Sequence, residues 1–413
     1  MEQNYFYKSH HELILSPSEE ETRSYRQTES AYLHRFRRQL PTELMQSFGP
    51  THISLPFPLH LSIWLQEKNI TAVKAEIGWL HQGMEKAFET IPWKTGPAFA
   101  TRINPLVPAP IALTFILSLE KTLQIERKIL KLAQDYRVLM LECARIFHHL
   151  NVIHQTVSLI APYALIQSSA HALKMAQILQ TLVNHDQDNL PRWEVGGISK
   201  PIYKIWIQQF QKEANATSKA IHILKRSVLE EAQIEKRLTG IGVLSKESAL
   251  SFGLTGPTLR ACGVADDLRR SHPYFNYFSY APAICTQKYG DAWSRFNVRL
   301  NEVETSFVVV QKIIHEILKE MKAAESLIIP YESIWNDEQT IIPGMQTASI
   351  ESPEGELSVT IVSHGKNVPY RVRLRTPSFF HTAAISAFLQ NADIDNVVLI
   401  ILSLGITGLE VDR

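Results

Sequence analysis

Residues 253–274 concentrate the reactive side-chain types of this chain. Gly253, Gly256 and Gly263 share the stretch with adjacent carboxylates at Asp266 and Asp267 and with Arg260, Arg269 and Arg270. Glycine serves where φ is positive or two backbones approach closely, and arginine beside aspartate forms charge-assisted hydrogen bonds. Two readings stand: an ordered loop at an internal polar interface, or a turn with solvated charges. In the first, Arg260, Asp267 and Arg269 have structural or interface roles. A catalytic pair at Asp266 and Asp267 is disfavoured, because neighbouring side chains rarely face one pocket.

Other groupings are weaker. Arg371, Arg373 and Arg375 alternate along a predicted strand and so share a face, which suits an anion, an acidic partner or solvent. Glu142, His148 and His149 fall on one predicted helix, but their spacing does not put two ligands and a third on one face, so core or interface histidines are expected. Cys143, Cys262 and Cys285 are far apart and form no Cys-x-x-Cys. No zinc knuckle, iron–sulfur cluster or nickel-iron thiolate set is therefore predicted in this chain.

The elements that must position these groups follow from composition and period. A chain of 413 residues, 45% hydrophobic and 20% charged, can bury a large core. Its 42 basic and 41 acidic side chains leave net +1, which argues against a nucleic-acid footprint. The apolar run 396–405 is shorter than the roughly 18–20 residues that cross a bilayer, and residues 1–5 do not begin a secretory signal. Ser16-Pro17-Ser18-Glu19 is a plausible helix start. Alternation over 59–65 and 71–77 predicts an antiparallel hairpin. From Ile111 to Leu150 apolar residues recur at helical spacing, with Leu130 and Phe147 expected in the core. The same period runs over 205–237 and 300–321, so a helical bundle is expected mid-chain. A hairpin is predicted over 357–375, turning at 364–367.

Residues 253–274 also resemble the signature of the 49-kDa (D) subunit family of respiratory NADH:quinone oxidoreductase, complex I, itself related to nickel-iron hydrogenase large subunits. Further similarities run in the family's order over roughly residues 45–413. Phe48-Gly49-Pro50-Thr51-His52 resembles an opening glycine-proline-glutamine-histidine motif, and Gly78-Trp79-Leu80-His81-Gln82-Gly83-Met84-Glu85-Lys86 resembles Gly-Tyr-Leu-His-x-Gly-x-Glu-Lys. Glu351-Ser352-Pro353-Glu354-Gly355-Glu356, Pro369-Tyr370-Arg371-Val372-Arg373 and Val411-Asp412-Arg413 complete the series.

The resemblance implies a subunit that binds no redox cofactor itself. It would form a quinone cavity with a partner carrying an iron–sulfur cluster. His52 then falls near the cavity, Arg102 faces the cluster, and His81 and Arg371 are structural or interface residues. The departures bear on function. The family's two quinone donors, a histidine and a tyrosine, fall on Pro56 and Pro105, and proline donates no proton. Asn104 and Leu159 stand at aspartate positions, Asn189 near a histidine, Glu354 at an arginine, Gly405 at an aspartate and Leu409 at a glycine.

The expected fold is mainly α with small antiparallel β sheets (α+β), built on a hydrogenase large-subunit-like helical bundle. Its expected divisions are an extension at 1–44, a small β-containing lobe at 45–110, a helical core at 111–345 and a C-terminal hairpin and helical segment at 346–413. The implied function is that of a quinone-module subunit of an NADH:quinone oxidoreductase or related redox complex, not catalytic alone. The alternative is a diverged structural or energy-coupling subunit with no quinone chemistry of its own. Expected partners are the iron–sulfur subunit and membrane subunits, with no nucleic acid, no metal in this chain and no transmembrane segment of its own. The expected location is peripheral, on the cytoplasmic side of a bacterial inner membrane.

Overall fold

The computed structural model describes residues 5–9, 12–15, 45–184, 193–198, 201–321, 326–327 and 340–413. The expected helix start at Ser16 and the family position at Asn189 lie outside the described residues. The fold is mainly α with small antiparallel sheets.

Four long helices form the centre: α2 (Lys131–Ile160), α3 (Tyr163–Asn184), α4 (Lys204–Glu230) and α5 (Ala292–Met321). Each packs on the next, and α5 returns to α2, closing a bundle. A shorter helix, α1 (Pro108–Thr122), is apolar on nearly every side. Its first-turn prolines are compatible with helix, since the missing N–H groups would be unsatisfied there. An all-round apolar helix must be enclosed. Accordingly α1 lies between the bundle and a C-terminal sheet, where Ser118 Oγ donates to the Val359 carbonyl at 2.8 Å.

The helical period from Ile111 to Leu150 therefore covers two helices. Between them the chain turns through Gln124, whose φ is +57°, and a 3-10 turn at Glu126–Lys128. Leu130 precedes the first turn of α2 with extended backbone and is 45% exposed, so the expectation that it is buried is corrected. Its helical spacing was real, but its Cα lies outside the helix whose face that spacing describes. Phe147, well inside α2, is buried.

Sheet strands β1 (Met45–Phe48), β2 (His60–Gln66) and β3 (Asn69–Glu76) run antiparallel in that order. The inward side chains Leu61, Ile63 and Leu65 pack with Ile385, Phe388 and Ile400 from the other end of the sequence. The C-terminal sheet holds β4 (Gly344–Glu351), β5 (Glu356–Ser363) and β6 (Arg371–Arg375). The hairpin predicted over 357–375 is its β5–β6 half, and β4 is an additional partner. Among the described residues no helix is long and apolar enough to cross a membrane.

Candidate functional site

The 253–274 stretch is internal. Arg260, fully buried, donates from Nε to Glu302 Oε1 at 2.7 Å and from Nη1 to Glu351 Oε1 at 2.7 Å. Arg269 donates to Asp267 Oδ2 at 2.6 Å and to Glu142 Oε2 at 3.2 Å. Arg145 donates to the Glu351 and Ser352 carbonyls. Tyr277 closes the group with a 2.5 Å hydrogen bond to Glu142. Burying so many charges is tolerable only because each is paired and hydrogen-bonded.

The acids respond to these partners. Burial favours the neutral form of Glu302, but Arg260 and His149 hold its carboxyl well below the usual range. Asp267 is held at about 2 by Arg269 and Arg260 against the same burial penalty. Burial pushes His149 down to about 3, outweighing its 3.0 Å bond to Glu302, so the imidazole is neutral.

The glycines explain how these segments meet. Gly256 has φ +69°, and a Cβ there would lie 2.3 Å from the Glu354 carbonyl. Close backbone contact thus joins the 253–274 stretch to the loop between β4 and β5.

A second junction gathers three motifs from opposite ends of the chain. The Asp412 carboxylate accepts the Gly78 N–H at 2.7 Å and the Leu80 N–H at 2.8 Å. His81 Nδ1 bonds the Asp412 carbonyl at 3.2 Å. Arg371 lies 3.5 Å from Glu85 and 3.4 Å from Glu89, while Arg413 donates to the Leu374 carbonyl. Arg373 is exposed, and Arg375 rests on the Phe380 ring.

Between these junctions is a cavity of about 500 Å³. Its walls come from residues 56–58, Leu80, Pro105 and Leu106, the α2 face from His148 to Gln155, and residues 401–409. Mostly apolar walls with a few polar groups suit a small organic ligand. Pro56 and Pro105 both line it, as do Gly405 and Leu409. The polar groups are His148, Asn151, Gln155 and Thr407. Behind the wall, His148 Nε2 lies 2.9 Å from Glu354 Oε1. Asn104 donates to Glu410 at 2.8 Å and Ser378 donates to its other oxygen at 2.7 Å. Burial and the nearby Glu354 charge raise Glu410 to about 8.

A larger cavity of about 760 Å³ opens beside Glu120, Arg137, His272 and Phe275. Its floor is the bidentate Arg137–Glu120 pair. It is more heavily charged and contains neither Pro56 nor Pro105, so the smaller cavity is the better site for an apolar headgroup.

His52 is placed just before the cavity loop, stacked on Phe48 with centroids 4.3 Å apart, and Nδ1 accepts the Ser54 N–H. Arg102 is exposed over the Phe99 ring. Neither residue lines the cavity. His148 and His149 take separate carboxylate partners. Among the described residues no group of three or more His, Cys, Asp or Glu could hold a metal ion.

The model for the 49 kDa subunit of respiratory-chain NADH dehydrogenase matches residues 190–413, more than half the chain. The chain belongs to this 49 kDa subunit family. It is also similar to curated proteins over most of its length. One is the D subunit of the NADH-quinone oxidoreductase of Geobacter metallireducens, 28% identical over 389 residues that cover 90% of this chain and 99% of that protein. Another is the D subunit of the Acidiphilium cryptum enzyme, 28% identical, covering 88% and 93%. The first-numbered D subunit of the Salinispora tropica enzyme is 27% identical, covering 86% and 88%.

Within the 49 kDa family, this chain's network was only partly visible as sequence. Arg260, Asp267 and Arg269 stood out, and Glu351 did so only as part of a motif, whereas Glu302 and Glu410 did not. Glu142, Arg145 and His149, spaced by three and four on α2, were the available signal of a polar stripe. Such a stripe ordinarily faces water; here it faces α5 and the β4–β5 loop.

Proposed function

We propose that this chain is the quinone-module subunit of an NADH:quinone oxidoreductase. It provides one wall of the quinone cavity, while a partner subunit holds the iron–sulfur cluster that delivers electrons. The observation carrying this reading is the cavity between residues 56–58, 105–106 and 401–409. Those segments include the positions at which the family places its quinone-binding side chains. The names of the full-length relatives support the same reading.

Pro56, Phe57, Pro58, Leu106 and Ile401 offer an apolar slot that excludes water from a planar headgroup. Neither proline at 56 or 105 can protonate it. Hydrogen bonding must come from the polar part of the wall. In the same reading, His52 guards the approach and Arg102 faces the cluster-bearing subunit, where its positive charge would favour the reduced cluster. Attachment to the cytoplasmic face of a bacterial inner membrane runs through membrane subunits.

A purely structural or energy-coupling role is less favoured. The prolines speak for it, but the cavity is still open and still carries polar groups. The test is purification of the tagged chain with its assembled partners from a strain lacking any intact paralogue. Inhibitor-sensitive NADH:quinone reduction is expected. Assembly with membrane subunits but no quinone turnover would reject the quinone-reducing role.

A further inference from the structure

We propose that the side-chain amides of Asn151 and Gln155 hold the quinone headgroup, one on each of its two carbonyls. This inference rests on the quinone-reducing reading above and names the residues that bind its substrate. Pro56 and Pro105 offer no donor, so hydrogen bonds to the headgroup must come from elsewhere in the wall. Four polar side chains line the cavity. Two are already engaged: His148 Nε2 with Glu354 at 2.9 Å, and Thr407, whose hydroxyl donates to the same carboxylate at 3.1 Å. Asn151 and Gln155 are half-buried, and among the described residues neither amide has a hydrogen-bond partner.

Helix geometry aims both amides at the ligand space. His148, Asn151, Val152 and Gln155 follow at i, i+3, i+4 and i+7, a single stripe on α2, and all four line the cavity. The stripe meets the opposite wall, where a Cβ on Gly405 would lie 3.4 Å from Val152 Cγ2. His154, off the stripe, bonds Ser169 on α3 instead.

The spacing suits a para-quinone. Residues four apart on a helix carry Cβ atoms roughly 5–6 Å apart, close to the span between the two carbonyl oxygens of that ring. An amide also serves both redox forms. Its NH2 donates to a carbonyl of the oxidised headgroup, and its oxygen accepts from a hydroxyl of the reduced one. The exchange needs only a half-turn of the terminal torsion, which is broad and two-fold in Asn and Gln. Neither amide gives up a proton. The two electrons come from the iron–sulfur donor of the partner subunit and the two protons from water, and both carbonyls become hydroxyls.

The experiment uses the assembled complex in native membranes and a benzoquinone with a short alkyl tail. Rates are normalised to NADH:hexacyanoferrate reduction, which reports upstream electron entry. Asn151→Leu and Gln155→Met each strand one carbonyl in a mainly apolar slot and should raise KM about 10-fold. Because the amides hold both redox forms, kcat should change far less. Asn151→Asp and Gln155→Glu keep the shape and remove the donor. At about pH 8 these carboxylates only accept. They should raise KM for the quinone while tightening inhibition by the corresponding quinol, whose hydroxyls donate. A merely structural role would not move those two constants in opposite directions.

An unchanged KM in assembled Asn151→Leu or Gln155→Met would overturn the two-point clamp. Should either fail to assemble, unchanged quinone KM and quinol inhibition in its acidic counterpart does the same. Absence of quinone turnover in the wild-type complex would instead reject the functional reading on which the proposal stands, and the proposal with it.

Discussion

The Asp412 carboxylate accepts the Gly78 N–H at 2.7 Å, bridging 334 positions of sequence. Its second oxygen takes the Leu80 N–H, so one side chain fixes the C-terminal end of the chain to the turn beneath the cavity.

Asp412→Ala should therefore destabilise the chain by about 2–3 kcal/mol, the scale of lost hydrogen bonds to a charged group. The midpoint of urea denaturation measures it. Asp412→Asn should cost less, because the amide oxygen still accepts one N–H.

The buried network should be intolerant of single deletions. Arg260→Leu leaves Glu302 and Glu351 without their shared guanidinium, which should cost about 3–5 kcal/mol. Arg226→Ala breaks an exposed, solvent-screened pair with Glu230 and should leave the unfolding midpoint close to that of the wild type. Equal effects in chemical denaturation would refute the assignment of Arg260 as the centre of the network.

Phe115, fully buried in α1 and stacked on Phe88, should cost about 3–5 kcal/mol on truncation to alanine. Leu130→Ala should fall within about 0.5 kcal/mol of wild type, as surface changes do. Thermal unfolding of the two variants checks both values.

Glu410 makes a pH prediction with a definite sign. Its folded pKa, about 8, lies above its ordinary value of 4.5. Between those values the folded state binds the extra proton, so this group's contribution to stability falls as pH rises. Glu410→Gln cannot titrate. Its stability should therefore decline less than wild type between pH 5 and 8. Parallel stability curves for the two proteins across that window would contradict a raised Glu410.

Local patterns carried much of the fold. Alternation marked β2, β3 and the β5–β6 hairpin, and the 3.6-residue period marked α1, α2, α4 and most of α5 but not α3, because both signals come from side chains that recur on one face at a fixed short spacing. Motif order placed the chain in its family, and Pro56 and Pro105 announced that its cavity chemistry differs.

What sequence alone could not distinguish was a solvated polar helix face from a buried one. Glu142, Arg145 and His149 look the same in either case, since burial depends on what packs opposite, and Arg260, Glu302 and Glu351 arrive from distant segments. The same holds for His148 and Glu354, which face each other only when α2 meets the β4–β5 loop. Residue types and local period were determined along the chain. The pairing of charges and the shape of the cavity were decided by tertiary contact, because Coulomb and hydrogen-bond energies depend on separation in space and on exclusion of water.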